Sequence, residues 1–215
     1  MALAGFAPVA MKTTALALNL AVAAIGTALF LRSGRLSWRN VWPFALLGFP
    51  FSMLGGAVHL PESVYFPVVG AVLILSALQM ARTALRGPSV ARGATQAAPF
   101  LPALLTGAAI GFISGTTGTG GGVFLAPVIL AMNWGTPRQT AATTAVYNLM
   151  NSAAALLGAY AAWGQVPAGL PAWLIAVALG GTVGAVIGSR YLSDRWLRIV
   201  LALLLLASGL KLVLP

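Results

Sequence analysis

The chain has 215 residues, of which 60% are hydrophobic and 7% are charged, and its net charge is +10. Its mean hydropathy of +0.95 excludes a soluble globular domain and predicts an integral protein of the lipid bilayer. The basic residues fall mostly between apolar runs, where they set membrane orientation, so the charge does not predict a nucleic-acid partner. The absence of Cys, with only one His and two acidic residues, predicts no metal, no cofactor and no enzymatic activity.

Apolar runs of about 20 residues, the length that spans a ~30 Å hydrocarbon core as a helix, recur along the chain. They cover 13–31, 42–60, 64–81, 138–162, 171–190 and 196–214. The first run follows a Lys and resembles a signal peptide, but no small-residue cleavage site followed by a polar sequence comes after it. We therefore interpret it as a retained transmembrane segment.

The region 99–133 differs, because apolar stretches of about 16 and 10 residues flank the sequence GTTGTGGG at 115–122. If this region enters and returns to one side of the membrane, ten of the twelve basic residues lie on a single side. These are Arg32, Arg35, Arg39, Arg82, Arg86, Arg92, Arg138, Arg190, Arg195 and Arg198. A single crossing would divide them six against four, so the positive-inside rule predicts a hairpin and a cytoplasmic arginine side.

Two units of the chain resemble each other. KTTA at 12–15 matches ATTA at 142–145, and Gly48, Ser52 and Gly56 match Gly180, Gly184 and Gly188. The charge flanking the two units is opposite, which predicts an inverted-topology repeat of the kind found in secondary transporters. We place the first unit at 1–87, a cytoplasmic linker at 88–98 and the second unit at 99–215. The hairpin has no counterpart in the first unit, so either the chain as given starts late or a homodimer completes the symmetry.

The glycine cluster lacks the Lys-Ser/Thr of a P-loop and the spacing of a dinucleotide-binding motif. One interpretation is close helix packing. The other is that Gly120, Gly121 and Gly122 open a short helix near Val123, whose N–H groups and positive dipole end point at an anion.

A polar stripe follows at helical spacing and must face protein or water. It contains Thr140, Thr143, Thr144, Tyr147, Asn148, Asn151 and Ser152. Interhelical hydrogen bonding and the wall of a transport pathway both explain it. The spacing of Gly180, Gly184 and Gly188 predicts close helix packing. We expect Lys12 to be either an interfacial anchor or a ligand. In the first unit Thr13 and Thr14 match the stripe, whereas Asn19 does not.

The segments GFISGTTGTGGGVFLAPVIL and GTPRQTAATTAVYN resemble the glycine-rich signature of the TauE/SafE sulfite exporter family. The segments GFAPVAMKTTALALN and SGRLSWRNVWPFALLG resemble the back part of its first repeat. The resemblance implies an inner-membrane carrier of small anions, sulfite or organosulfonates, built from two inverted halves. The matching positions are Gly118, Gly120, Gly121, Gly122, Pro127, Thr143 and Thr144, with Thr13 and Thr14 in the first unit.

We therefore predict an all-α polytopic membrane protein with about six full spans and one glycine-broken hairpin, which exports a small anion by alternating access. A buried carboxylate relay is absent from the sequence pattern, so we expect uniport or weak proton coupling. A non-transporting membrane subunit or chaperone of the same fold stays open as an alternative. The predicted substrate-binding residues are Gly118, Thr119, Gly120, Gly121, Gly122, Thr143, Thr144, Tyr147, Asn148, Asn151, Thr13, Thr14 and Lys12.

Overall fold

The computed structural model describes residues 8–32, 34, 36–85, 96–160, 169–191 and 194–213. Within these ranges all regular structure is helical, which confirms the predicted all-α class. The helices are α1 (Pro8–Arg32), α2 (Trp38–Ala57), α3 (Glu62–Leu85), α4 (Phe100–Thr117), α5 (Gly122–Ala131), α6 (Pro137–Gly158), α7 (Leu170–Tyr191) and α8 (Asp194–Val213). Most of the predicted linker at 88–98 and the end of the predicted span at 138–162 lie outside the described residues.

Among the described residues, three helical segments are long and apolar enough to cross a membrane by themselves. These are Val9–Arg32, Ser63–Arg82 and Phe100–Thr117. Shorter apolar helices cover Gly122–Ala131, Leu170–Val183 and Ala202–Val213. The predicted spans in α2 and α6 are helical as expected. Both helices contain small and polar residues, which lower their mean hydropathy. These residues face neighbouring helices within the bundle.

Helices α4 and α5 form the predicted hairpin. The N–H of Gln96, before α4, donates to the carbonyl of Asn133, after α5, at 3.1 Å, so the two ends of the hairpin meet. With 18 residues α4 is longer than the stretch of 16 expected from the sequence, and at 1.5 Å per residue it approaches the thickness of the hydrocarbon core. The 10-residue α5 is much shorter, so the arms of the hairpin are unequal.

Helices α2 and α4 approach so closely that backbone touches backbone. Gly107, Gly111 and Gly115 of α4 lie against the backbone of Phe44, Gly48 and Ser52 of α2, one turn apart each time. A Cβ atom at Gly111 would lie 3.0 Å from the Cα of Gly48 and closer still to its carbonyl oxygen. This spacing, with a small residue at every fourth position, is a common packing surface of membrane helices.

Close packing was predicted instead for the glycines of α7, and for Gly180 that prediction is wrong within the described residues. A Cβ atom at Gly180 or Gly181 would meet nothing within 4 Å. The surroundings of Gly184 and Gly188 are not described. The exposed side chains of Ile175 and Leu179 lie on the same helix, so this part of α7 faces outward.

The buried apolar cluster joins four helices of the bundle. It contains Phe44 of α2, Ala103 and Ile110 of α4, Leu125 and Ile129 of α5, and Tyr147 of α6. Helices α1 and α6, which the repeat matches to each other, pack together, as do α3 and α8. The inverted relation of the two units stays a prediction.

Candidate functional site

The loop between α4 and α5 is built from glycines in the left-handed region of backbone space. Gly118 ends α4 with φ of 76°, and Gly120 has φ of 73°. Residues with a Cβ atom adopt this conformation only at a cost of about 1–2 kcal/mol, so the sequence places glycine at both positions. The two glycines let the chain reverse within four residues and start a new helix.

Helix α5 begins at this loop with free backbone donors. The carbonyl of Gly121 accepts the N–H groups of Phe124 and Leu125, at 3.3 and 3.1 Å. The N–H groups of Gly122 and Val123 have no backbone acceptor among the described residues, as is general for the first turn of a helix. These donors and the positive end of the helix dipole make the start of α5 suited to an anion.

The middle of α6 lies directly against the loop. A Cβ atom at Gly120 would overlap the Oδ1 atom of Asn148, and one at Gly121 would overlap the ring of Tyr147 and lie 2.5 Å from the Nδ2 atom of Asn151. Only glycine permits this approach. The structure therefore brings together five of the predicted site residues: Gly120, Gly121, Tyr147, Asn148 and Asn151.

The polar stripe on α6 faces protein, as predicted. Thr140, Thr143, Tyr147, Asn151 and Ser152 are all at most 4% exposed. Part of the stripe makes interhelical hydrogen bonds: the Oη of Tyr147 donates to the carbonyl of Gly107 at 2.7 Å, and the Nδ2 of Asn151 donates to the Oγ of Ser114 at 3.2 Å.

The rest of the stripe carries polar oxygen atoms that have no partner within the described protein. Among the described residues these buried atoms are Asn148 Oδ1, Asn151 Oδ1, Thr140 Oγ1 and Ser152 Oγ on α6, and Thr27 Oγ1 on α1. A buried polar atom left without a hydrogen bond costs about 1–3 kcal/mol, so such atoms are rare unless they serve a function. Within the described part of the chain, interhelical side-chain bonds thus involve only two residues of the stripe, Tyr147 and Asn151.

The ammonium group of Lys12 lies at the C-terminal end of α2. Its ammonium group donates to the carbonyls of Gly55, Gly56 and Val58, at 3.1, 2.6 and 2.7 Å. The residue is 4% exposed, so its ammonium group is held by protein rather than by solvent. Its three donors are all used, and its charge neutralises the negative dipole end of α2. The backbone of Lys12 lies near Gly118, since a Cβ atom at Gly118 would be 3.1 Å from the carbonyl oxygen of Lys12.

Three predicted threonines use their hydroxyl groups within their own helices. Thr13 and Thr14 donate to carbonyls one turn earlier in α1, and Thr144 donates to the carbonyl of Thr140 at 2.9 Å. The hydroxyl groups of Thr119 and Thr117 form a hydrogen bond of 2.9 Å. Thr143 lies away from the loop and lines a cavity at the start of α6.

Asn19 contacts the loop, although it does not match the polar stripe when the two repeat units are compared. Its Nδ2 donates to the carbonyl of Gly118 at 3.2 Å, and the same atom would lie 3.2 Å from a Cβ at Gly120. The loop is therefore held between Asn19 of α1 and Asn148 of α6, each near the middle of its helix. The signal in the sequence was an amide in the centre of an otherwise apolar span, where polar side chains are expensive.

A family profile described as "Sulfite exporter TauE/SafE" matches residues 1–212. The chain belongs to the TauE/SafE family. A relative from Sinorhizobium fredii (strain NBRC 101917 / NGR234), named "Probable membrane transporter protein y4hK", is 66% identical over 213 residues, which are 99% of this chain and 86% of the relative. No solved structure matches the chain. This TauE/SafE protein is therefore a multi-pass membrane transporter.

Proposed function

We propose that this TauE/SafE transporter exports a small anion, sulfite or an organosulfonate, by alternating access past the glycine loop. The observation that carries the proposal is the pairing of two features at the glycine loop: the free N–H groups at the start of α5, and the amide of Asn148, whose oxygen has no hydrogen-bond partner among the described residues. A half-turn of the Asn148 amide exchanges its oxygen for its NH₂ group, so this side chain can donate to an oxyanion.

Charge near the loop favours an anion as the substrate. The ammonium group of Lys12 is fixed at the C-terminal end of α2, the backbone of Lys12 lies near Gly118, and the positive end of α5 begins at the same loop. The two acidic residues of the chain, Glu62 and Asp194, are the first residues of α3 and α8 and so lie at helix ends. Lys12 acts through its charge in this arrangement, because its donors are held by α2.

Alternating access requires that the site be closed on one side at a time. The apolar cluster provides such a barrier, since Tyr147 and Leu125 contact the loop while Phe44 and Ile129 line the cavity at the start of α6. Moving one negative charge outward gains about 2.3 kcal/mol per 100 mV of membrane potential, which is sufficient to drive export without a coupled proton. Strictly electroneutral transport that depends on a proton gradient would contradict this mode.

The test is flux of sulfite, sulfoacetate, taurine and sulfate in proteoliposomes that contain only this chain. Asn148→Leu keeps the size of the side chain and removes its amide, and we expect flux to fall by at least about tenfold. Gln79→Leu is the matched control, because Gln79 is an exposed amide on α3 far from the loop in sequence.

Gly121→Leu would place its side chain onto Tyr147 and Asn151, so it should abolish flux altogether. Equal flux for wild type, Asn148→Leu and Gly121→Leu would show that the substrate does not bind at the glycine loop. Absence of flux for every substrate in the wild-type chain would favour a non-transporting subunit.

A further inference from the structure

The glycine loop joins two helix ends of opposite charge. Helix α4 ends at Thr117 with its negative dipole end, and α5 begins at Gly122 with its positive dipole end. Only residues 118–121 separate the two ends. An anion that meets the N–H groups at the start of α5 therefore also lies close to the carbonyl groups at the end of α4, which repel it.

The two carbonyl groups nearest the loop each accept a hydrogen bond from another helix. The Oη of Tyr65 on α3 donates to the carbonyl of Thr117 at 3.1 Å. The Nδ2 of Asn19 on α1 donates to the carbonyl of Gly118 at 3.2 Å. These donors lie 52 and 99 residues from their acceptors in the chain, so neither bond belongs to the local turn that commonly ends a helix. Each donor hydrogen offsets the partial negative charge of the carbonyl oxygen that it meets.

Helix α2 ends beside α4, and its carbonyl groups are covered in the same way. A Cβ atom at Gly55 would lie 2.9 Å from the backbone nitrogen of Thr116, so the two helix ends lie side by side. The ammonium group of Lys12 donates to three carbonyl groups at the end of α2. Lys12, Tyr65 and Thr116 also line one small cavity. Two negative dipole ends thus lie together before the loop, and donors from α1 and α3 cover carbonyl groups of both.

The positive helix end at the loop has no such cover among the described residues. Gly121, which precedes α5, makes no side-chain cap, and the N–H groups of Gly122 and Val123 have no backbone acceptor. Helix α6, in contrast, starts with a capping box formed by Thr136 and Gln139. Covered carbonyl groups and open N–H groups on one loop favour an anion over a cation.

The hydroxyl group of Tyr65 is specific to this contact. Tyr65 is 3% exposed, and its ring meets that of Phe66 edge to face with centroids 5.7 Å apart. A phenylalanine would fill the same volume without burying a hydroxyl group, so packing alone does not account for a tyrosine here. Asn19 likewise places an amide in the centre of an apolar span, where leucine would have a similar size.

We propose that Tyr65 and Asn19 determine the charge selectivity of the glycine loop. They are positioning residues, because they act on the backbone of the loop rather than on the anion itself. Each covers one carbonyl group, and the N–H groups at the start of α5 then dominate the electrostatic field at the loop. The proposal rests on the proposed function, in which an anion binds at this loop, and it adds residues of α1 and α3 to that site.

The proposal has a quantitative signature. The coulombic energy between a carbonyl group and a ligand is proportional to the charge of the ligand. If one carbonyl group loses its cover, the factor by which a dianion weakens is therefore the square of the factor for a monoanion. A loss of loop structure would instead weaken both anions by similar factors.

The experiment is isothermal titration calorimetry on the full chain in phosphatidylcholine nanodiscs, with methanesulfonate as the monoanion and sulfate as the dianion. Tyr65→Phe removes one hydroxyl group and keeps the ring, and Asn19→Leu removes the amide. We expect each variant to weaken methanesulfonate about threefold and sulfate about tenfold. The matched controls are Tyr160→Phe, at a tyrosine that is 70% exposed, and Gln79→Leu, at an exposed amide. Both controls should leave the two affinities unchanged.

The other outcomes overturn the proposal or separate it from transport. Equal factors for the two anions in Tyr65→Phe and Asn19→Leu would show that the two bonds only hold the hairpin in place. Unchanged affinities in these variants, or a wild-type chain that binds neither anion, would also overturn the proposal. The expected factors together with no flux in proteoliposomes would support the charge selectivity and contradict the proposed transport function. Size-exclusion profiles of each variant check that the protein stays folded.

Discussion

Helices α2 and α7 occupy matching positions in the predicted repeat and carry small residues at matching places, yet they meet different surroundings. Gly48 of α2 lies in backbone contact with Gly111 of α4, whereas its match in α7, Gly180, meets nothing within 4 Å. The difference comes from the hairpin, which covers α2 and has no equivalent on α7 among the described residues. Glycine spacing therefore indicates a surface that permits close packing, and the partner decides whether packing occurs.

The largest effect is expected where α2 and α4 touch. Gly111→Val would force a branched side chain into the carbonyl of Gly48, and neither backbone can move aside. We expect a loss of about 3 kcal/mol or more in the free energy of unfolding, measured by SDS titration in mixed micelles. Unchanged stability of this variant would show that the two helices separate easily, and the contrast with α7 would disappear.

The end of α2 depends on Lys12 as well. Lys12→Met keeps the length of the side chain but removes the ammonium donor from the carbonyls of Gly55, Gly56 and Val58, of which Gly55 keeps the N–H of Val58. We expect a loss of about 2 kcal/mol in the same titration. Lys211→Met, at an exposed lysine in the last turn of α8, should have almost no effect. Equal effects of the two substitutions would mean that the buried ammonium group does not stabilise α2.

Two glycine substitutions separate the effect of backbone strain from the effect of a lack of space in the loop that follows α4. Gly120→Ala suffers both, because Gly120 has φ of 73° and a Cβ would overlap Asn148. Gly34→Ala suffers strain alone, because Gly34 has φ of 65° and nothing within 4 Å. We expect transport to fall by about tenfold in Gly120→Ala and to persist in Gly34→Ala. Similar transport in both variants would indicate that contact between the loop and α6 does not matter.

The smallest effect is expected on α7. Gly180→Ala adds a methyl group into open space on a helix, where alanine is the better helix former. Stability in the SDS titration should stay within about 0.5 kcal/mol of the wild type or rise slightly. A large loss of stability would show that this face of α7 packs against a partner, as the glycine face of α2 does.

Elements with a strong local signal could be predicted from the sequence. The hydrophobic runs and the distribution of arginines predicted the hairpin, and the helical spacing of polar residues predicted the buried face of α6. The glycine packing surface of α4 was also visible, as Gly107, Gly111 and Gly115 at every fourth position.

Contacts that depend on tertiary structure could not be predicted. Asn19 lies outside the matched stripe, and only the position of α1 against the loop brings it to Gly118. The burial of Lys12 depends on the end of α2, 43 residues or more away in the chain. The cavity at the start of α6 likewise collects residues from α2, the segment before α4 and the start of α6, and no sequence spacing relates these segments.

The bond between Gln96 and Asn133 bears on how the protein enters the membrane. It joins the two ends of a hairpin whose loop contains only Gly and Thr, and the chain carries no charged residue between Arg92 and Arg138. Insertion of this unit therefore moves no charge through the hydrocarbon core, where each would cost about 2.5–3.5 kcal/mol. Both arms of the hairpin are free of charged side chains, and the bond between Gln96 and Asn133 closes its base.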